Sequence, residues 1–209
     1  MEKERQISKA VIKRLPRYRR YLGELKRRGI EKVSSKDLSE LIGYTASQIR
    51  QDLNNFGGFG QQGYGYSVDY RYDEISAILG LDRKYKIVMV GYGRLGQAMT
   101  SYIARNEKNF QIVGIFDVKK RIENVELDNV VISTCGTLSE FIRTQHVDIA
   151  VICVPPEKAQ RVAETAAKAG VKGIWNFTAV ELDISDDVIV EDVHMSDSLH
   201  SLAYYMNEA

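Results

Sequence analysis

The chain has 209 residues, 44% of them hydrophobic and 27% charged, with a formal net charge of +1. This length fits one large domain or two small ones. The sequence shows no signal-peptide pattern and no apolar run near the roughly 20 residues that a membrane-spanning helix requires, so we expect a soluble cytoplasmic protein. Two cysteines, Cys135 and Cys153, match no disulfide framework or metal motif, and we expect no metal site.

The charges are unevenly distributed along the chain. Between Met1 and Arg28 there are eleven basic and three acidic side chains, a net charge of +8, which leaves −7 for the remainder. A basic amino-terminal arm on an acidic body favours contact with nucleic acid, and a solvated helix face is the alternative interpretation.

The first predicted element is a helix from about Ser8, a candidate N-cap, to about Gly29. Its inward stripe has helical spacing and consists of Leu15, Tyr18, Leu22 and Leu25. Pro16 either kinks this helix or starts a second one.

Two capping boxes follow, each at the head of a short predicted helix. Ser34 and Asp37 form the first, and the helix behind them ends at Gly43. Thr45 and Gln48 form the second, which opens a helix over 46–56. Two short helices joined by a tight turn predict a helix-turn-helix.

The second of these helices has two contrasting faces. Ile49, Leu53 and Phe56 form an apolar stripe that we expect to face the domain core. The opposite face carries amides and hydroxyls with one guanidinium at its flank, namely Ser47, Gln48, Gln51, Asn54, Asn55 and Arg50. Such groups hydrogen-bond to base edges, whereas a merely solvated helix would more often carry Glu and Lys, so we interpret this as a DNA recognition helix.

A glycine-rich and aromatic stretch over 57–66 comes next. Its position after a recognition helix predicts a two-stranded wing with Gln61 and Gln62 at the tip, reaching phosphates or the minor groove; a loop disordered on its own is the alternative. A helix from Val68 to about Leu81 closes a first domain over 1–80, and the boundary lies at 80–84.

A G-x-G-x-x-G motif lies between the apolar run 86–90 and a predicted helix, and it contains Gly91, Gly93, Arg94, Leu95 and Gly96. In that context the first glycine permits a tight turn, the second lets backbone amides approach a pyrophosphate, and the third allows close packing of helix on strand. The first N–H groups of the helix then point at the phosphates.

A second feature supports dinucleotide binding. The next predicted strand ends at Asp117, 21 positions beyond Gly96, close to the spacing expected of the acid that binds the adenosine ribose hydroxyls. The alternative is a glycine-rich turn that only packs a strand on a helix.

Strands and helices alternate after this point, which predicts a doubly wound parallel sheet, a Rossmann domain over 85–193. Further strands are predicted near 130–132, 148–154, 173–177 and 188–193, with a capped helix from Thr137 to Gln145 and a helix from Pro156 to Ala169. The segment 194–209 carries a final amphipathic helix with Leu199 and Leu202 on one side. It docks either on a partner subunit or on its own domain.

The chain has three further motifs, R-L-P-x-Y at 14–18, F-G-x-F-G-x-x-G-x-G-Y at 56–66 and N-F-T at 176–178. With these motifs, a predicted winged helix followed by a Rossmann domain, an α/β organisation, resembles the Rex family of bacterial redox-sensing transcriptional repressors. This resemblance implies a homodimer that binds a palindromic operator, reads the NADH/NAD⁺ ratio, is released from DNA by NADH and represses genes of fermentation, respiration and NADH reoxidation. It also implies that the carboxy-terminal helix is exchanged between subunits.

The resemblance implies roles for individual residues as well. Tyr102 matches a tyrosine near the nicotinamide, and Arg20 matches an arginine that couples the two domains. Their usual partner is an aspartate at the start of the exchanged helix, where this chain has His194. Gln51 stands where many members have a second arginine, which implies a different operator preference.

Two other functions compete with this interpretation. A dehydrogenase would need a substrate domain, and none remains once the sheet is built; His146, His194 and His200 form no evident catalytic set. A CoA-binding module shares the glycine turn, and Asp117 favours a ribose diol without excluding CoA.

Overall fold

A computed structural model of the chain describes residues 7–55, 65–118 and 130–208. The chain divides into two compact units, Met1–Arg83 and Lys84–Ala209. The predicted wing tip, with Gln61 and Gln62, lies outside the described residues, as does Phe56.

The first unit contains a helix-turn-helix and a two-stranded sheet. Its elements are α1 (Lys9–Arg27), β1 (Lys32–Val33), α2 (Ser35–Ile42), α3 (Ala46–Asn54), β2 (Tyr66–Ser67) and α4 (Val68–Ile78). The strands β1 and β2 pair antiparallel, with Val33 opposite Tyr66, and thereby frame the segment in which the wing is predicted. The apolar stripe of α1 packs with Ile49 and Leu53 of α3 in one core.

Helix α1 begins where the sequence predicts, because the Ser8 side chain accepts a hydrogen bond from the Val11 N–H at 3.3 Å. It then continues through Pro16 as one helix, so the alternative that Pro16 starts a second helix is wrong. Pro16 lies on the exposed side of α1, and the carbonyl that loses its N–H partner belongs to Ile12, which is also exposed. Water can therefore satisfy that carbonyl.

The two predicted capping boxes have different outcomes. The first is complete, since the Ser34 side chain accepts from the Asp37 N–H and the Asp37 carboxylate accepts from the Ser34 N–H. In the second, Thr45 accepts from the Gln48 N–H at 3.1 Å, but the Gln48 side chain turns to Asp52. A hydrogen bond to a buried carboxylate is stronger than one to a neutral exposed amide, which explains why this box is only half formed.

The second unit contains a six-stranded, wholly parallel sheet in the order β5-β4-β3-β6-β7-β8. Its elements are β3 (Tyr85–Val90), α5 (Arg94–Asn106), β4 (Phe110–Asp117), β5 (Val131–Thr134), α6 (Leu138–Gln145), β6 (Ile149–Ile152), α7 (Pro156–Ala169), β7 (Gly173–Asn176), β8 (Ile189–Asp192) and α8 (Met195–Glu208). The prediction of a doubly wound parallel sheet is confirmed.

Alternate residues of the central strand β3 serve the two faces of this sheet. Val88 and Val90 pack in a cluster with α6 and α7, whereas Ile87 and Met89 pack in a cluster with Ile103 of α5. The strand order reverses at β3, where β4 lies on one side and β6 on the other. Ligands of open α/β sheets bind at such a point, beyond the carboxyl ends of the strands.

The predicted ends of α7 and the predicted start of α6 have different outcomes. Helix α7 begins with Pro156 in its first turn and ends at Gly170, whose φ of 108° is left-handed. Helix α6 is different, because Thr137 provides no side-chain cap and closes a short 3-10 turn over Cys135–Thr137. Its hydroxyl donates to the Thr134 carbonyl instead, so the prediction of a capped start is wrong.

Helix α8 buries none of its side chains in this chain. Its exposed apolar residues are Met195, Leu199, Leu202, Tyr204, Tyr205 and Met206. Among the described residues, no helix combines the length and apolar character needed to cross a membrane.

Candidate nucleotide and DNA sites

The three glycines of the motif between β3 and α5 have different surroundings. Gly91 has a φ of 94°, and a Cβ there would collide with the Cys153 carbonyl. A Cβ on Gly96 would collide with the Gly91 carbonyl, so this glycine lets α5 pack against the turn. Gly93 is the N-cap of α5, and a Cβ there would meet no atom within 4 Å.

The open space at Gly93 distinguishes a ligand site from a packing turn. Protein packing explains why Gly91 and Gly96 lack side chains, but it does not explain Gly93. An approaching pyrophosphate does, because the backbone N–H groups at the start of α5 are accessible only if no side chain covers them. The residues present therefore fit a dinucleotide.

Asp117 ends β4 beside this turn. Its carboxylate accepts a hydrogen bond from the Tyr92 N–H at 2.6 Å, so the acid is held by the second residue of the motif itself. A carboxylate in this place can accept hydrogen bonds from the hydroxyls of a ribose.

A cavity of about 400 Å³ lies at the carboxyl ends of the four strands β5, β4, β3 and β6. It is lined by Gly91, Tyr92, Gly93, Arg94, Leu95, Asp117, Val118, Cys135, Cys153, Val154, Pro155 and Lys158. The predicted residues of the phosphate turn and the predicted ribose acid thus share one cavity. We call it the nucleotide cavity.

Tyr102 lines a different cavity. It is half exposed on α5 and borders an apolar groove of about 480 Å³ on the α5 side of the sheet. The groove also contains Ile87, Ile149, Trp175 and Ile189, with Glu107 and Glu191 among its lining residues. The structure therefore separates Tyr102 from the residues that line the nucleotide cavity.

Both cysteines lie in the nucleotide cavity. Burial raises the pKa of the Cys153 thiol to about 12, and burial together with the Asp117 carboxylate raises the pKa of Cys135. Thiolates are the reactive form, so both side chains are neutral and unreactive near pH 7.

The polar face of α3 is exposed for most of its length. Ser47, Arg50, Gln51 and Asn54 are all exposed. Arg50 donates to the Ser47 hydroxyl at 3.1 Å and to the Ser35 hydroxyl of α2 at 2.9 Å. These two bonds hold the guanidinium over the ends of both helices of the helix-turn-helix, where a phosphate or a base edge can reach it.

Gln48 and Asn55 are the half-buried residues of this face. The Asn55 amide donates to the Gln51 carbonyl at 3.2 Å, and the Gln48 amide donates to Asp52 at 2.8 Å. Asp52 is completely buried and also accepts two hydrogen bonds from Arg14, at 2.6 and 2.8 Å, and one from the Tyr18 hydroxyl at 2.7 Å. The polar side of the recognition helix is thus joined to α1 through one carboxylate.

The titration of these groups follows from their contacts. Burial opposes ionisation of Asp52, but the hydrogen bonds from Arg14, Tyr18 and Gln48 outweigh it and lower the pKa of the carboxyl. Burial and the bond to Asp52 raise the pKa of Tyr18. This centre was not predicted from the sequence, although Arg14 and Tyr18 lie four residues apart on one face of α1, a spacing that places both beside one partner.

The other two residues of the implied switch lie in separate units. Arg20 is exposed on α1, with its guanidinium carbon 5.2 Å from the centre of the Tyr21 ring. His194 is half-buried and immediately precedes α8. Asn176 supports the strand that leads to His194, because its amide donates to Asp192 at 2.7 Å.

Two family models match different parts of the chain. Residues 6–54 match the family model described as putative DNA-binding protein N-terminus. Residues 82–180 match the family model described as CoA binding domain.

Relatives match the chain over its whole length. The redox-sensing transcriptional repressor Rex of Caldanaerobacter subterraneus is 49% identical over the entire chain and 93% of its own length. That of Clostridioides difficile is 50% identical over 97% of the chain and 96% of its own length.

Solved structures also match nearly the whole chain. A Rex-family repressor, RSP, crystallised with NAD⁺ and operator DNA, is 48% identical, covers 97% of this chain and 93% of its own, and superposes with a TM-score of 0.88. RSP with NADH is 44% identical over 97% and 95% of the two chains, also with a TM-score of 0.88. With this identity, coverage and shared two-unit fold, the chain belongs to the Rex family of redox-sensing transcriptional repressors.

Proposed function

We propose that this protein is a homodimeric transcriptional repressor that binds operator DNA and releases it when NADH replaces NAD⁺. The observation that carries the proposal is the open space at Gly93 in a cavity shared with Asp117, within a chain that also presents an exposed polar recognition helix. The relative RSP has been crystallised with NAD⁺ and operator DNA and also with NADH. Such a regulator works in the cytoplasm, where operators and the NADH pool are both present.

The nucleotide cavity binds the half of the dinucleotide that both oxidation states share. The pyrophosphate approaches Gly93 and the first N–H groups of α5, next to Arg94 and Leu95. The Asp117 carboxylate accepts hydrogen bonds from the adenosine ribose hydroxyls. A carboxylate at this position disfavours a 2′-phosphate, so NAD(H) is preferred to NADP(H).

The exposed face of α3 reads the operator. Ser47, Gln51 and Asn54 present hydroxyl and amide groups to base edges, and Arg50 serves a guanine or a phosphate. Gln48 donates to Asp52 of the same helix and reaches DNA with its remaining hydrogen-bonding groups. The wing, with Gln61 and Gln62, adds contacts to the backbone or the minor groove.

Dimerisation involves α8 and the groove beside Tyr102. The apolar side chains of α8 are exposed in the single chain, and the same unit offers an apolar groove of about 480 Å³ lined by Ile87, Ile149 and Trp175. Exposed apolar surface of this extent favours association. The α8 helix of a second copy docks in this groove. His194 and Met195 are the first residues of the segment that is exchanged.

Only a difference in binding free energy between two protein states can convert a hydride into a change in DNA affinity. NAD⁺ has a positively charged, flat pyridinium ring, whereas NADH has a neutral, puckered dihydropyridine. The neutral ring enters apolar surroundings near Tyr102 and the exchanged helix more favourably, and its binding changes the spacing of the two recognition helices in the dimer. A dimeric reader requires a fixed half-site spacing, so its affinity for the operator falls.

The experiment that tests this function begins with operator sites selected from a random DNA library in the presence of NAD⁺. Operator affinity is then measured by fluorescence anisotropy at one salt concentration with NAD⁺, NADH, NADPH and CoA. We expect NADH alone to weaken binding, by roughly 5- to 150-fold for a coupling of about 1 to 3 kcal/mol. Weakening by CoA, or no response to any of the four, would contradict the proposal.

A further inference from the structure

Lys158 is a positively charged residue of the nucleotide cavity that neither the glycine motif nor the ribose acid accounts for. It lies in the first turn of α7, and its backbone N–H donates to the Pro155 carbonyl at 2.9 Å. Its side chain is exposed and lines the cavity from the α7 side. No carboxylate among residues 7–55, 65–118 and 130–208 forms an ion pair with it within 4 Å.

Lys158 shares the cavity with residues at the ends of β4 and β5. These are Asp117 and Val118 at the end of β4 and Cys135, which directly follows β5. Val118, an apolar side chain that is 66% exposed, lines the same end of the cavity and offers a surface for one face of a purine. This end, beside the predicted ribose acid, corresponds to the adenosine half of a bound dinucleotide.

An ammonium group there meets groups of opposite charge. The pyrophosphate carries two negative charges, and the ribose oxygens accept hydrogen bonds. A lysine binds phosphate as a flexible point charge whose four-carbon stem can cover apolar ligand surface at the same time. The adenosine half is chemically identical in NAD⁺ and NADH, so a contact made there cannot distinguish them.

We propose that Lys158 is a dinucleotide-binding residue whose ammonium group contacts the phosphate and ribose oxygens of the adenosine half, and that it sets the affinity for NAD⁺ and NADH by the same factor. The inference rests on the proposed nucleotide function and adds a residue outside the glycine motif. In a repressor that reads a ratio, such a residue fixes the total dinucleotide concentration at which the protein is occupied. It leaves unchanged the NADH/NAD⁺ ratio at which DNA is released.

The test compares Lys158→Ala, Lys158→Met and Lys158→Arg with the wild-type protein. Dissociation constants for NAD⁺, NADH and ADP-ribose are measured by calorimetry at low and high salt. Lys172→Ala is the matched control, because Lys172 directly precedes β7 and lies at the opposite, amino-terminal edge of the sheet. Circular dichroism verifies that each variant is folded.

We expect the alanine and methionine variants to bind all three ligands on the order of tenfold more weakly, by one common factor, with a smaller loss at high salt. The arginine and Lys172→Ala variants should bind like the wild type. Unchanged affinities in Lys158→Ala, a loss for one oxidation state alone, or full affinity in Lys158→Met would each overturn the inference while the proposed function stands. A wild-type protein that binds no dinucleotide would instead overturn the proposed function, and this inference with it.

Discussion

Replacing Asp52 by asparagine tests whether one buried carboxylate holds the DNA-binding unit together. The carboxylate is fully buried and accepts four hydrogen bonds, two from Arg14, one from Tyr18 and one from Gln48. The amide keeps the shape of the side chain, but it removes the negative charge and turns an NH₂ group toward donors. Arg14 then stays largely enclosed, with 22% of its side chain exposed, and has no counter-charge.

Removing one partner of a buried ion pair costs about 3 to 5 kcal/mol, and partial hydration of Arg14 places this case near the lower end. In a unit of this size, each kcal/mol shifts the melting temperature by roughly 4 to 8 °C, so we expect a loss of more than about 10 °C. Hydrogen exchange followed by mass spectrometry measures the effect separately in α1 and α3. The single tryptophan, Trp175, lies in β7 and reports the unaffected second unit by fluorescence.

Asp69→Asn is the control, because Asp69 lies on the surface of α4 with 68% of its side chain exposed, 3.1 Å from Lys26. Exposed ion pairs contribute little, so the protection of α1 and α3 should be unchanged. If Asp52→Asn lost less than about 1 kcal/mol in α1 and α3, Asp52 would not be the centre that joins the recognition helix to α1.

The other predictions concern Asp52, the glycines of the nucleotide turn and His194. The folded-state pKa of Asp52 is lowered, so its contribution to stability is present above about pH 4 and is lost as the pH falls through the lowered value. The urea midpoint of the first unit should therefore drop in acid. In Asp52→Asn, this midpoint should depend less on pH. Gly93→Ala should leave the melting temperature unchanged but weaken NADH binding in calorimetry. Gly96→Ala should lower the melting temperature of the second unit, because its methyl group meets the Gly91 carbonyl. Equal melting temperatures in the two variants would be evidence against these separate roles. His194→Asp supplies the acid that the family pattern has before α8. We expect NADH to weaken operator binding by a several-fold larger factor in this variant than in the wild type, as measured by anisotropy. The same factor in both proteins would contradict this expectation.

Local patterns predicted most of the fold because their physical causes are local. The apolar runs of β3 and β6 indicate strands buried on both faces, and Pro156 and Gly170 mark the two ends of α7 through constraints on their own backbone. The glycine motif is equally local, since its turn and its helix start lie within six residues.

The remaining features depend on contacts between distant segments. Asp52 looks like a polar residue of a surface helix until Arg14 and Tyr18, more than 30 residues earlier, are placed against it. The Gln48 side chain leaves its capping box for this same carboxylate, four residues further along its own helix. Helix α1 passes Pro16 because packing of its apolar stripe outweighs one lost hydrogen bond, which a rule based on single residues cannot weigh.

The site shows the same division between local and distant information. Gly91, Gly93, Gly96 and Asp117 could be identified by spacing, because a strand of known length fixes where each lies at the edge of the sheet. Lys158 could not, since it reaches the nucleotide cavity from a helix that begins 60 residues beyond Gly96, the last glycine of the motif.

The most direct test of the proposed redox response is one operator titration at fixed salt, with saturating NAD⁺ in one arm and saturating NADH in the other. Salt must be held constant because contacts between basic residues and phosphates make affinity strongly dependent on ionic strength. We expect tight binding with NAD⁺ and binding weakened roughly 5- to 150-fold with NADH. Equal affinity in the two arms, with both dinucleotides shown to be bound, would contradict the proposed response.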